Sequence, residues 1–397
     1  MKLGPIEKFD PKNPDHLDST KYKIVEYEQS GRKPTSVNFD VGLKDDMARR
    51  DLTINAMAID KNGNLIDHFD GKTAIQNKII KTVGNPHDRF EEDKLRLARA
   101  IRFAGRMDFE IDPETHDAIK KNAHKITAVS PERIRDELVK MAGESGDKFA
   151  DTILRLDDAG LLELILPELT RLKGFQETSK HHPEAYAYGE GRVFDHVLQA
   201  VRANKVKDPL VNLATLLHDV GKGVTYVYKP ETNSHSYHGH DMAAVELIED
   251  IAKRLKLTSK ERDAILFACM NHMKLFKKNK TDGLKPSKIV KLVNDENWEL
   301  LKNVSLADDS CRIGMFDQNH FDQTIKYMED IAAEWGARTL DKVAKIVDGK
   351  QVMDLTGLKP TRMVGDIITK VTELVMDMGD KSPIDQLIMK VFKELNK

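Results

Sequence analysis

The residues best suited to chemistry lie in the second half of the chain. His196 sits in Arg192-Val193-Phe194-Asp195-His196-Val197-Leu198. His218-Asp219 closes the apolar stretch Leu213-Ala214-Thr215-Leu216-Leu217 and leads into Val220-Gly221-Lys222-Gly223. His235, His238 and His240 follow, then Asn271-His272, then Ala307-Asp308-Asp309. Neutral imidazoles with one or two carboxylates suit a catalytic divalent metal that keeps open positions. A lone histidine is ordinarily structural. Adjacent His-Asp at a helix end, followed by Gly-Lys and further histidines, is the stronger pattern.

A second set of residues suits nucleotides. Arg49 and Arg50 stand at the mouth of an expected strand, with Asp51 and Asn55 close behind. Arginine forks match phosphate oxygens, since they offer paired donors and stay charged. Asp51 can orient one of those arginines, and Asn55 can bond a ribose hydroxyl. The same residues also fit a capped turn with a surface ion pair. Asp93, Arg96 and Arg99 fall at i, i+3 and i+6 of an expected helix, so they share a face. A carboxylate beside a guanidinium presents acceptors and donors together, as the edge of a partner base does. An ordinary surface ion pair fits this spacing too.

The order of Ala48-Arg49-Arg50-Asp51-Leu52-Thr53-Ile54-Asn55-Ala56, then Glu92-Asp93-Lys94-Leu95-Arg96-Leu97-Ala98-Arg99, then Ser130-Pro131-Glu132-Arg133-Ile134-Arg135-Asp136-Glu137-Leu138 resembles one family. It is the nucleotide-reading half of the class II tRNA nucleotidyltransferases, the CCA-adding enzymes. The resemblance implies that Asp93 and Arg96 act as a protein template for CTP and then ATP, with Arg99 as a supporting contact. It implies that Arg49, Arg50, Asp51 and Asn55 bind the nucleotide, and that Glu132, Arg133 and Glu137 are structural. It also implies nucleotidyl transfer with Mg2+ held by an upstream Gly-Gly segment and Asp-x-Asp strand. The residues before Arg49 contain neither element. The expectation is therefore a head whose metal site is separately encoded on a partner polypeptide, is cut off by a misassigned start, or is lost.

The order His, His-Asp, His, Asp resembles the HD phosphohydrolase superfamily, and a subset of bacterial CCA-adding enzymes carries such a domain. A stretch like His182-Pro183-Glu184 precedes it there, and His238-Gly239-His240 is one residue shorter than that subset's His-x-Gly-His element. By matching position, His196, His218, Asp219 and Asp308 are expected as primary metal ligands, with Asp309 competing for the role of Asp308. His240 and His272 are expected to serve a second metal or a phosphate oxygen. His218, Asp219 and Lys222 form the expected catalytic group, with Lys222 stabilising charge that develops on phosphorus. The metal is a divalent transition ion of unspecified identity. The implied activity is hydrolysis of 2′,3′-cyclic phosphates and phosphomonoesters, suited to trimming damaged tRNA 3′ ends. The implied partners are tRNA, CTP and ATP. Two rival readings stay open: a stand-alone HD phosphohydrolase, and a non-catalytic tRNA-binding subunit that waits for the missing carboxylates. Bacterial poly(A) polymerase shares the Arg-Arg-Asp motif, but the HD body argues against it.

The elements that must position these residues divide unevenly. Strand-like composition covers 22–28 and 52–59, and Asn62-Gly63 reads as a hairpin turn into Leu65-Ile66-Asp67-His68-Phe69. From Asp88 onward, 3.6-period apolar patterns dominate. The expected fold is mainly α: a truncated α/β nucleotidyltransferase head (1–86), a neck with the templating helix (87–150), an HD body (151–320) and a helical, tRNA-binding tail (321–397). The tail holds a Gly-rich turn, Asp348 to Gly365, like one that touches the tRNA elbow in many bacterial relatives.

The 397 residues are 40% apolar and 32% charged, an ordinary globular balance. No apolar run approaches the ~20 residues of a membrane helix, and the first residues lack an apolar signal core. Two cysteines, Cys269 and Cys311, indicate no disulfide framework and fit a reducing, cytoplasmic setting. With a net charge of −2, nucleic-acid contact must come from local patches. One candidate is the lysine run 274, 277, 278, 280, 285, 288 and 291, which equally fits a solvated helix pair.

Overall fold

The computed structural model describes residues 22–27, 34–178, 180–232, 234–275, 284–338, 347–378 and 383–396, with backbone alone for 22–41 and 336–338. Lys277, Lys278 and Lys280 of the lysine run lie outside the described residues.

The head is built from short pairs of strands. β1 (Tyr22–Tyr27) runs antiparallel to β2 (Pro34–Val41), and α1 (Leu43–Ala48) follows. The strand expected over 52–59 is largely absent. Only β3 (Met57–Ile59) pairs with β4 (Leu65–Asp67), and Thr53–Asn55 form a 3-10 turn instead. The cause is local. The strand stops at the Leu52–Thr82 bridge, where the Asn55 and Ala56 amides turn back to the Leu52 and Thr53 carbonyls. Asp51 Oδ1 accepts from the Leu52 amide at 2.9 Å and from Asn55 Nδ2 at 3.1 Å. The turn at Asn62-Gly63 is present, with Gly63 at φ 84° and Asp60 Oδ1 accepting from the amides of Asn62 and Asn64. α2 (Gly71–Gln76) and β5 (Ile79–Ile80) close the head.

The neck comprises α3 (Pro86–Glu92), α4 (Arg96–Met107), β6 (Glu110–Ile111, parallel to β5), α5 (Pro113–Asn122), α6 (Pro131–Ala142) and α7 (Gly146–Asp158). The body continues with α8 (Leu162–Ile165), α9 (Pro167–Arg171), α10 (Pro183–Ala187), α11 (Val193–Ala203), α12 (Pro209–Leu217) and α13 (Lys222–Thr225). A hairpin of β7 (Val227–Lys229) and β8 (Ser234–Ser236) leads to α14 (His240–Leu255), α15 (Ser259–Asn271), α16 (Pro286–Val293) and α17 (Trp298–Ser310). The tail has α18 (Gln318–Arg338), α19 (Gly349–Thr356), α20 (Arg362–Met378) and α21 (Ile384–Leu395).

Burial follows the apolar periodicity. One continuous cluster runs from Leu52 and Phe90 through Ile101 and Phe149 to Phe194, Leu216 and Val304, so neck and body share a core across residue 150. α4 packs on α7, and α7 on α11, which ties the neck directly to the body. Trp298, Leu301 and Phe321 belong to a second cluster. Val352, Ile367, Val371 and Ile388 form a separate tail core. Among the described residues, no helix is long and apolar enough to cross a membrane.

Candidate metal centre and nucleotide-facing motifs

Helices α11, α12, α14, α15 and α17 each deliver one end of the metal cluster. His196 lies on the buried face of α11 with Val193 and Val197. His218 ends α12, whose apolar side chains drive that end into the core. His240 starts α14, His272 ends α15, and Asp308 lies in the last turn of α17. His196, His218 and His272 are fully buried, and Asp219 and Asp308 nearly so.

Asp219 joins two sides of the cluster. Its Oδ2 lies 3.2 Å from His218 Nε2 and 3.4 Å from His196 Nε2, while Asp308 Oδ1 lies 3.1 Å from His196 Nε2. Its Oδ1 lies 3.2 Å from His240 Nε2 and 3.7 Å from His272 Nε2, and those two nitrogens are 3.4 Å apart.

The far side of every ring is fixed. His196 Nδ1 lies 2.8 Å from Glu184 Oε1, and His218 Nδ1 lies 2.7 Å from the Thr215 carbonyl. His240 Nδ1 faces the Tyr237 carbonyl at 3.0 Å, and His272 Nδ1 the Cys269 carbonyl at 2.8 Å. Acceptors at Nδ1 place the proton there and leave Nε2 with its lone pair free, as metal-ligating histidines require. Nε2 of His196 and of His218 are buried without a hydrogen bond. Such atoms are costly unless something satisfies them, and imidazole plus carboxylate fits a divalent transition metal. Among the described residues, the groupings able to hold a metal all fall in this part of the body.

Neighbouring residues sharpen the site. Asp309 pairs with Arg312 and is not brought to the histidines; Asp308 is. Lys222, expected to face the reacting phosphorus, has its Nζ 2.8 Å from Asp219 Oδ2 and 2.6 Å from Glu177 Oε1. Burial works against its charge, and the two carboxylates outweigh burial and raise its pKa. The ammonium is thus already committed to holding Asp219. Glu184 and Glu177 were not anticipated as site residues. Glu184 sits in the His182-Pro183-Glu184 stretch, a usable signal; nothing in the sequence marks Glu177. Burial would raise the Glu184 carboxyl, but hydrogen bonds with His182 and His196 pull it down to about 2.

One glycine sets the closeness of the two sides. A Cβ on Gly221 would lie 1.9 Å from the His240 carbonyl oxygen and 2.9 Å from the Ala244 amide. Only hydrogen at that position lets the first turn of α14 seat against the His218-Asp219 turn. The cluster opens to a pocket of about 910 Å3 whose lining includes Glu177, His182, Asp219, Lys222, His240 and Asp308.

The residues expected to face a nucleotide gather where head meets neck, with partners that differ from expectation. Asp51 does not orient Arg49 or Arg50. It is buried, and its Oδ2 takes Arg99 Nε at 2.8 Å and Nη2 at 2.7 Å. Arg49 and Arg50 pair with Asp46, at 3.0 and 3.4 Å. Asp93 does not share a helix with Arg96 and Arg99. It caps the end of α3 in extended conformation (φ −145°), and α4 begins at Arg96. The break arises because Asp93 Oδ1 accepts from the Leu95 amide at 3.1 Å, starting the next helix. Asp93 Oδ2 pairs with Arg133 at 2.7 Å. Arg96 instead donates to Glu92 and to the Arg49 carbonyl, both at 2.7 Å. Arg133, read from sequence as structural, thus stands beside the expected base-reading carboxylate. Glu137 pairs with Arg102 at 2.6 Å deep in the neck.

Comparison with known proteins finds matches along most of the chain. Residues 6–81 match the family model of the poly A polymerase head domain, 108–173 that of a probable RNA and SrmB-binding site of polymerase A, and 192–310 the HD domain. The chain is 33% identical over 322 residues to a multifunctional CCA protein of Vibrio campbellii, covering 78% of this chain and 74% of that one. It is 30% identical over 340 residues to an A-adding tRNA nucleotidyltransferase of Deinococcus radiodurans, covering 83% and 75%. In fold it is similar to the Bacillus stearothermophilus CCA-adding enzyme in complex with CTP, at TM-score 0.57 and 21% identity over 91% of this chain and 78% of that one. Matches to the head, polymerase A RNA-binding and HD models in this order, with such identity across three quarters of a relative, place the chain in the bacterial CCA-adding family of tRNA nucleotidyltransferases that carry an HD domain.

Proposed function

We propose that the body of this chain hydrolyses phosphoesters at RNA 3′ ends, using a divalent transition metal held by His196, His218, Asp219 and Asp308. The head and neck bind tRNA and read CTP and ATP, for nucleotide addition with Mg2+ once a Gly-Gly and Asp-x-Asp segment completes the head. The observation that carries the first half is the set of buried histidines, each fixed at Nδ1 and turned through Nε2 toward Asp219 or Asp308. When bound, the metal supplies Lewis acidity and an acidified water. The protein supplies the rest. Glu184 fixes the ring of His196, and Lys222 and Glu177 hold Asp219. His240, which lines the pocket, and the buried His272 both face Asp219 Oδ1, where a phosphoryl oxygen or second ion would meet them. On a 2′,3′-cyclic phosphate, the oxygen of water bonds to phosphorus and one P–O bond to the ribose breaks. That ribose oxygen leaves as a hydroxyl after taking a proton.

The second half rests on family membership and on the cluster of Arg49, Arg50, Asp51, Asn55, Asp93, Arg96 and Arg99 at the head–neck junction. In this reading Asp93 and Arg133 present the base-reading edge, while Arg96 and Arg99 tie the neck to the head.

The test uses the full chain loaded in turn with Mn2+, Co2+ or Ni2+ and offered adenosine 2′,3′-cyclic phosphate. Hydrolysis is expected with at least one ion, and His218→Ala and Asp219→Ala should each abolish it. Activity that survives both substitutions would sink the assigned site. In parallel, CTP and ATP incorporation into a tRNA lacking its CCA end is measured with Mg2+. Asp93→Ala is expected to blur the choice between the two nucleotides.

A further inference from the structure

The turn that carries Arg49 and Arg50 ends helix α1, so its last carbonyls lack partners within the helix. Two arginines of the neck take them. Arg89 Nη1 donates to the Ala48 carbonyl at 2.9 Å, and Arg96 Nη2 to the Arg49 carbonyl at 2.7 Å. Cationic donors suit this end of a helix, where the backbone dipole is negative.

One carboxylate holds both guanidiniums. Glu92 Oε1 lies 2.6 Å from Arg89 Nη2, and Glu92 Oε2 lies 2.7 Å from Arg96 Nη1. Arg96 Nη1 also lies 3.2 Å from the Arg89 carbonyl. Both arginine side chains are largely buried. The fork of Arg89 is used in full: one nitrogen is spent on the head, the other on Glu92. Arg89, Glu92 and Arg96 thus form one clamp on the Arg49-Arg50 turn.

The clamp stands between the two ends of the expected nucleotide site. On its head side are the side chains of Arg49 and Arg50, expected at phosphates. On its neck side is Asp93, the residue after Glu92, whose Oδ2 meets Arg133 at 2.7 Å. Arg89 reaches the turn from α3, the helix that ends at Asp93. A ligand held at both ends gains from both grips only when their separation is set before it arrives. A loose turn would have to be ordered during binding, at a cost in affinity.

We propose that Arg89 is a positioning residue of the nucleotide site: bridged to Arg96 by Glu92, it locks the Arg49-Arg50 turn at a fixed distance from Asp93, so that phosphates and base are gripped together. The proposal rests on the nucleotide reading of head and neck, and the test separates the two.

Equilibrium dialysis of the full chain with Mg2+ measures Kd for CTP and for ribose 5-triphosphate, which lacks a base. The wild type is expected to bind CTP more tightly, because only CTP reaches both grips. Arg89→Met keeps the aliphatic stem and removes both polar contacts. It is expected to lower the ratio of CTP affinity to ribose 5-triphosphate affinity by about tenfold, the order for one charge-assisted hydrogen bond. Arg89→Lys can meet the Ala48 carbonyl or Glu92 but cannot fork between them, and should restore part of the ratio. Glu92→Gln loosens both arginines, should lower the ratio in the same direction, and decides the matter if Arg89→Met does not fold. An unchanged ratio in a folded variant, including equal losses for both ligands, would overturn the proposal and leave the nucleotide reading standing. If the wild type binds CTP no more tightly than ribose 5-triphosphate, base reading itself fails, and the positioning role with it.

Discussion

Glu184 is fully buried and still ionised, because His182 and His196 both lie at its Oε1. A carboxylate behind a ligating imidazole fixes the ring and raises its basicity, and removing such a partner costs about 10- to 100-fold in metal affinity. Glu184→Gln keeps the shape and removes the charge. It is expected to weaken metal binding by about tenfold, read by competition with a chelating dye. Unchanged affinity would show that Glu184 serves only packing. At this scale the sequence was informative about residue types and poor about partners. The sequence order of histidines and aspartates near helix ends matches residues that the structure brings together, since few other roles need so many imidazoles in that order. Which carboxylate would meet which guanidinium was not readable. Asp51 reaches Arg99 from 48 positions away, and Asp93 reaches Arg133 from 40. Spacing along one helix says nothing of such pairs.

Between elements, the junction of head and neck depends on charge. Burial alone would raise the Asp51 carboxyl, but the Asn55 hydrogen bond and the Arg99 guanidinium outweigh it and hold it below the ordinary aspartate range. A depressed folded value stabilises above the unfolded pKa, and the gain is lost as pH falls through the folded value. The link therefore holds at neutral pH and is released in acid, below about pH 4. Asp51→Asn should lower the urea midpoint at pH 7, and the gap to wild type should close as pH falls below about 4. A gap that persists in acid would assign the loss to packing. Deeper in the neck, Glu137→Ala leaves Arg102 buried without its main carboxylate, a change that costs about 3–5 kcal/mol when such a pair is broken. Chemical denaturation checks it. Helices were legible here because apolar periodicity is strong from Asp88 onward. Their interruptions were not: the strand stops at the Leu52–Thr82 bridge, where the Asn55 and Ala56 amides turn back to the Leu52 and Thr53 carbonyls, and the helix breaks where Asp93 captures the Leu95 amide, neither of which periodicity can register.

Over the whole molecule, the chain holds more than one core. Head base, neck and body share a single apolar cluster, while α19–α21 enclose their own. Helix α18 packs on α16 through the second apolar cluster, whereas α20 meets α16 through polar contacts. Asp377 Oδ1 accepts from the Ser287 amide at 3.1 Å, and Glu373 pairs with Lys291. Asp377→Ala is therefore expected to let tail amides exchange hydrogen well before those of α11 and α12, with the core protection unchanged. Simultaneous loss of protection in both would mean one cooperative unit. Helical content and the order of head, neck, body and tail could be read in advance. That α4, α7 and α11 weld neck to body could not, because it depends on which faces meet in space.

Gly221 gives this architecture a tuning point. Its missing side chain brings the His240 turn against the His218-Asp219 turn. A methyl group there has nowhere to go but into backbone, so α14 would have to retreat while His196, His218 and Asp308 stay on their own helices. Gly221→Ala would thus act as a spacer, prising one half of the cage open and leaving the other intact. Where one ion suffices for chemistry and a neighbouring one for grip, that lone methyl would divorce turnover from affinity.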